Sequence, residues 1–279
     1  MFFFVVFFSQ SNYDYRGYVF VYAMIILAAT GYLNGFAAAK VNRFFKTGDW
    51  KTSAVLASTI FPFYIVIMYG LSDVIELSAK SSASIQIIPA IKYTAAWLAI
   101  DVPLAILGAY HGYTTEMEYE AQYSEEEKEI PEQPWYMSPY ITVPFYGLFP
   151  FLSIIVMLKY IMDSVWRNNL IYAMFGSLFI NILLLVFMIA IVSISQTYHM
   201  IKHKNYHWWW RSFFVGAMGG VYMFIFSIYY ISHYMKRKME DPLSEALYFT
   251  QMCWSSFCFA TMCGTISLIT SYMFVERIC

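Results

Sequence analysis

The chain has 279 residues, of which 60% are apolar, 21% aromatic and only 13% charged, with 17 basic against 18 acidic side chains. Soluble domains carry about 25% charged residues, so this composition excludes an ordinary water-soluble domain and indicates a polytopic membrane protein. A net charge of -1 with no basic cluster leaves no electrostatic footprint for nucleic acid.

Met1–Ser9 is apolar but far short of the roughly 20 residues that cross a bilayer. It lacks the basic n-region and small-residue cleavage site of a signal peptide and reads as the end of a helix whose beginning is missing. Seven apolar stretches of spanning length follow, roughly Gly17–Ala39, Ser53–Leu71, Ser84–Tyr110, Ile141–Tyr160, Leu170–Met200, Ser212–Tyr234 and Ala246–Val275. A helix satisfies its own backbone groups in lipid. The expected fold is therefore all-α, a polytopic transmembrane helix bundle forming a single integral membrane domain over residues 1–279. Several stretches exceed the minimum and must tilt or kink, and Pro62, Pro89, Pro103, Pro144 and Pro150 supply kink points by removing backbone donors.

The first span carries Gly31-x-x-x-Gly35, a spacing that lets a second helix approach closely. Either the bundle's own helices or a client's transmembrane helix can use such a face. Asn34 lies between the glycines, and the basic residues Lys40, Arg43, Lys46 and Lys51 follow. Asp73 and Glu76 share a face at the far end of the second span, where an interfacial role is expected. In the third span Lys92 and Asp101 lie nine residues apart, about 13 Å along the axis and on opposite faces. They cannot pair, and Lys92 can snorkel to its interface. Intramembrane polar groups are candidates for function by default, so a transport path lined by Asp101, Asn34, Asn181 and Gln196 is weighed against hydrogen bonding between helices.

Residues 111–140 form the longest loop and hold Glu116, Glu118, Glu120, Glu125, Glu126, Glu127, Glu129 and Glu132. Such a charge run is expected to be solvated and mostly disordered. Its end, Ile130-Pro131-Glu132-Gln133-Pro134-Trp135-Tyr136, changes character. Two prolines disfavour helix at the residues before them, giving an extended approach that Trp135 and Tyr136 anchor at the membrane interface.

His199, His203 and His207 recur every four residues, which would stack them on one stripe if the fifth helix continued past Met200. Consecutive pairs could then hold Zn²⁺ or Cu²⁺, but no nearby carboxylate completes a site. No metal or other cofactor is expected. Asn205-Tyr206-His207-Trp208-Trp209-Trp210-Arg211 follows, and three consecutive tryptophans beside an arginine suit a membrane interface. The sixth span carries Gly216-x-x-x-Gly220. The last holds Cys253, Cys258 and Cys263, with Cys279 beyond; spacings of five place successive cysteines about 140° apart, so neither a disulfide framework nor a zinc site is indicated.

No nucleophile–base–acid constellation, phosphate loop or paired carboxylates emerge, so nothing argues for an enzyme. There is no Asn-x-Ser/Thr glycosylation acceptor. An odd number of spans puts the two termini on opposite sides. The Lys/Arg bias places the Lys40 loop in the cytosol by a narrow margin, because Lys236-Arg237-Lys238 lies opposite.

The segments 130–136 and 205–213 resemble the signature loops of the nonaspanins, also called the transmembrane 9 superfamily or EMP70 family. Gly31-Tyr32-Leu33-Asn34-Gly35, Val102-Pro103-Leu104, Gly108-Ala109-Tyr110, Gly264-Thr265-Ile266 and Tyr272-Met273-Phe274-Val275 are similar to further family segments in the same order. The resemblance implies a multispanning protein of Golgi and endosomal membranes. It would act in sorting, trafficking or localisation of client transmembrane proteins, with vesicle coat components as further partners. The seven spans would be the last seven of the family's nine, with the lumenal N-terminal domain absent and Met1–Ser9 a stub of the preceding span. Both signature loops would face the cytosol, and the family's C-terminal Lys-x-Asp/Glu coat signal has no counterpart before Cys279. The alternative function is a secondary transporter or channel for a small cation or proton.

Overall fold

The computed structural model describes residues 16–45, 49–78, 87–115, 131–167, 174–235 and 242–278. They form seven long helices with no strand among them: α1 (Arg16–Phe45), α2 (Trp50–Ser78), α3 (Ile87–Thr114), α4 (Pro139–Arg167), α5 (Met174–Lys202), α6 (Trp208–Tyr230) and α7 (Pro242–Ile278). Each covers most of one expected span, and most run past it, since a helix continues into the interface until a stop signal ends it. Met1–Ser9 and most of the acidic run, residues 116–130, lie outside the described residues.

The starts of the later helices are readable in the chain. Pro139 and Pro242 open α4 and α7, where the missing N–H costs nothing and the fixed φ already suits a helix. The α4 and α3 interiors tolerate Pro144, Pro150 and Pro103 without interruption. The prolines' own carbonyls take side-chain donors: Tyr222 Oη donates to the Pro144 carbonyl (2.8 Å) and Ser153 Oγ to that of Pro150 (2.6 Å). Past Tyr230, α6 continues as a single π turn over Ile231–Met235.

Among the described residues, Pro139–Asp163, Leu178–Lys202, Trp208–Tyr234 and Pro242–Ile278 are long and apolar enough to cross a membrane. On α5, Phe179, Ile180, Leu183 and Phe187 point outward. Such a surface is disfavoured in water and is ordinary against lipid tails.

Packing divides the chain into two compact units, Met1–Glu125 and Glu126–Cys279. In the first, α1 and α3 run parallel and close: Gly31 lies against Asp101, Gly35 against Ala105, Gly108 against Tyr32 and Gly112 against Phe36. The α2 helix returns antiparallel, with Ala54 in a fully buried cluster with Ala39 and Ala109. Asn42 Nδ2 donates to Ser53 Oγ (2.7 Å), and Arg43 donates to the carbonyls of Tyr113 (2.6 Å) and Thr115 (2.9 Å), closing the C-terminal end of α3.

In the second unit α4 and α6 run parallel, and α7 runs antiparallel to α6. Its core is built on Phe151, Leu158, Met162, Met223, Tyr230, Tyr248 and Met252, with a second cluster at Ile154, Leu185, Ile189 and Cys263.

Candidate functional site

Two loops that lie about 70 residues apart in the sequence meet at one end of the second unit. Pro131–Pro134 has no regular secondary structure and leads into a short 3-10 turn at Trp135–Met137. Pro134 itself has φ -63 and ψ 152, the conformation its ring allows. The approach is non-helical, as the paired prolines lead one to expect, and extended at Pro134; Ile130 lies outside the described residues. Gln133 Nε2 then donates across to the His203 carbonyl (3.2 Å) and locally to that of Pro131 (2.9 Å). The Arg211 guanidinium donates to the Met137 carbonyl (2.9 Å), and the Tyr136 and His203 rings meet edge to face. Met137 is buried, whereas Trp135 and Trp210 are 78% and 66% exposed. The result is a pinned loop pair with an aromatic rim.

The turn between α5 and α6 decides the fate of the histidine stripe. Lys204 adopts φ 56; the Asn205 N–H bonds the Met200 carbonyl (2.9 Å) and the Lys204 N–H bonds that of Ile201 (2.9 Å). This is the Schellman pattern, with lysine in the left-handed position usually given to glycine. Helix α5 therefore stops at Lys202 and His207 becomes the N-cap residue of α6, its N–H bonding Asn205 Oδ1 (3.2 Å). A continuous stripe of His199, His203 and His207 does not form. Among the described residues no group of three metal-ligating side chains converges.

Beneath the aromatic rim, α5, α6 and α7 share a knot of hydroxyls with no solvent exposure: Ser193, Thr197, Ser212, Ser267 and Ser271. Ser193 and Ser212 donate to the Ser267 carbonyl (2.7 and 3.0 Å), and Ser267 Oγ donates to that of Ser212 (2.7 Å). Thr197 donates to Ser271 Oγ (2.9 Å), which itself bonds the Ser193 and Ser212 hydroxyls. Every O–H in the knot has an acceptor, as burial in lipid requires. Alongside it Gly216 lies against Cys263 and Ser267, Gly220 against Ser256 and Ala260, and Gly264 against Phe213.

All four glycines of the two expected patterns, Gly31, Gly35, Gly216 and Gly220, are thus closed by the protein's own helices. Asp101 is buried in the α1–α3 seam, and Gln196 is buried with its amide nitrogen on Met200 Sδ (2.8 Å). Asn34 is exposed and Asn181 half-buried. Lys92 lies in α3, and Asp73 and Glu76 in α2, with side chains outside the described ones. Three features escaped the sequence analysis. Gly108-x-x-x-Gly112 has the same spacing as the two patterns identified and was legible. The hydroxyl knot draws single residues from three helices and had no local signal. At the other end of the unit, Tyr230 Oη donates to Asp163 Oδ1 (2.7 Å) and Lys159 Nζ sits 4.8 Å from the Tyr234 ring.

Long apolar helices joined by glycine and hydroxyl seams, with two pinned aromatic loops at one end, define an integral membrane protein housed in a lipid bilayer. Residues 1–240 match the family model of Endomembrane protein 70, EMP70, and the chain belongs to that family. It is 30% identical over 273 residues to Transmembrane 9 superfamily member 2 of Mus musculus, an alignment taking in 98% of this chain and 40% of that protein. It is 27% identical to member 10 of Arabidopsis thaliana (98% of this chain, 42% of that protein) and 27% identical to member 4 of Homo sapiens (94% and 41%). The chain therefore spans about two fifths of the length of the curated relatives it matches. No solved structure matches it.

Proposed function

We propose that this protein is a non-enzymatic factor of Golgi and endosomal membranes that acts in the sorting, trafficking or localisation of other membrane proteins. The observation that carries this reading is the loop pair: in a chain of this family, Pro131–Tyr136 and Asn205–Arg211 are bonded together into one aromatic-rimmed surface. A surface held by backbone carbonyls and presenting Trp135, Trp209 and Trp210 suits contact with a partner or headgroup layer. Client transmembrane proteins would meet the bundle on its lipid-facing sides, since the glycine seams are filled, and vesicle coat components would meet the loop end. The test is surface biotinylation in cells lacking the full-length protein, rescued with wild type or with Arg211→Ala. Loss of the protein should lower the surface amount of a subset of multispanning proteins, and Arg211→Ala should rescue poorly. A surface proteome unchanged by the loss would end this reading.

A second reading, transport of a small cation or proton, is favoured by one observation. The Asp101 carboxyl is buried in the seam of the first unit with an oxygen that no donor meets. Flux into liposomes that Asp101→Asn reduces is its test.

A further inference from the structure

Asp101 stands at the midpoint of α3, 14 residues from Ile87 and 13 from Thr114, about 20 Å from either end. It is 3% exposed and its Oδ2 has no hydrogen-bond partner. Four residues earlier on the same face, Trp97 is 8% exposed and its Nε1–H has no acceptor. Two unpartnered groups of opposite hydrogen-bonding character, one turn apart, are costly to bury unless something joins them.

The surroundings narrow what that is. Along the seam, Asp101 holds the register position that Ala105 takes one turn on and Ala109 two turns on, so a carboxyl replaces a small residue where helices touch. The α1 residue against it is Gly31, which brings no charge; neighbouring Tyr32 turns its hydroxyl to His111 Nδ1 (2.7 Å). Counting along the antiparallel α2 from Ala54 beside Ala109, the level of Asp101 falls near Pro62, with Tyr64 the nearest titratable residue in register. Lys40, Arg43 and Lys51 lie toward the opposite end of the seam, Arg43 being engaged with the Tyr113 and Thr115 carbonyls. A metal cation would want several oxygen ligands and would be repelled by the indole N–H. A water molecule suits both groups, accepting from the indole and exchanging a proton with the carboxyl. Pro103 gives no N–H to the Ala99 carbonyl, leaving one more acceptor in the same turn.

We propose that Asp101 and Trp97 form an intramembrane proton-binding site, Asp101 carrying an exchangeable proton and Trp97 orienting the water that takes it up. On release the carboxyl O–H bond breaks toward the water oxygen, leaving a carboxylate and a hydronium ion; uptake reverses the step without a further reactant. This names the proton as the ion of the transport reading, and rests on that reading for the proton's use but not for its binding.

The experiment is infrared difference spectroscopy of the full chain reconstituted in liposomes, across a pH jump in H₂O and D₂O. A protonated-carboxyl band that shifts in D₂O, changes with pH and vanishes in Asp101→Asn is expected. Trp97→Phe should keep the band and slow its isotope exchange severalfold. A spectrum unchanged by Asp101→Asn, or a band indifferent to D₂O, overturns the site. Should Asp101→Asn fail to fold, Asp101→Glu must move the band's frequency, and an unmoved band overturns the proposal equally. Proton flux is read in the same liposomes. A responsive band without flux supports the binding site while ending the transport reading.

Discussion

In the first unit, parallel helices meet where Gly31 and Gly35 rest on Asp101 and Ala105; in the second, antiparallel helices meet where Gly216 and Gly220 rest on Cys263, Ser267, Ser256 and Ala260. Both seams gain contact by removing side chains, and both bury polar groups beside the glycines. In the second, five hydroxyls from three helices satisfy one another through two backbone carbonyls, and the buried atom left over beside the glycines is a neutral hydroxyl, Ser256 Oγ. In the first, the group left over is ionisable: Asp101 Oδ2, with Trp97 Nε1 one turn away, faces no partner. A satisfied knot fixes one arrangement of helices, whereas an unsatisfied carboxyl at mid-helix is a liability unless a ligand uses it.

The largest effect expected is at the first seam. A Cβ on Gly35 would strike the Ala105 backbone, and backbone cannot yield as a side chain does. Gly35→Ala should cost about 1–3 kcal/mol and Gly35→Leu should abolish the folded state, read as thermal midpoint and monodisperse yield in detergent. Next comes the second seam: Ser271→Ala removes the hydroxyl shared by Ser193, Thr197 and Ser212 and should cost about 1–2 kcal/mol. Equal losses for Ser271→Ala and for the half-buried Ser255→Ala, whose hydroxyl bonds the Gln251 carbonyl of its own helix, would erase the distinction between a knot and scattered hydroxyls.

Arg211→Ala should cost about 1 kcal/mol, mainly as local opening, seen as faster hydrogen exchange over residues 131–137 with the helices unchanged. Asp101→Ala has the opposite sign. It converts the register to three small residues and should stabilise by about 1 kcal/mol in detergent, which no hydroxyl-to-alanine change within the knot should do. The smallest effect is expected at Gly70, where an added Cβ meets nothing within 4 Å; Gly70→Ala should be neutral or stabilising by about 0.5 kcal/mol.

Seven helices, their approximate limits and the absence of strand among the described residues were legible from apolar run length alone, because lipid permits few other ways to satisfy a backbone. The non-helical approach over Pro131–Pro134 was legible too, since proline restricts its own φ and its predecessor. Glycine spacing marked faces able to pack closely but not their partners, as a bare face is complementary to many others. Only tertiary structure paired Gly35 with Ala105 and Gly220 with Ala260, and brought Ser193, Ser212 and Ser267 into one knot. Helix α5 stops at Lys202 in a local turn through a left-handed lysine, closed by hydrogen bonds to Met200 and Ile201 at a position where sequence preference points to glycine. Local chemistry determined where the chain is helical; which polar groups found partners, and that Asp101 Oδ2 did not, depended on contacts between residues far apart in the chain, whose energies no single segment contains.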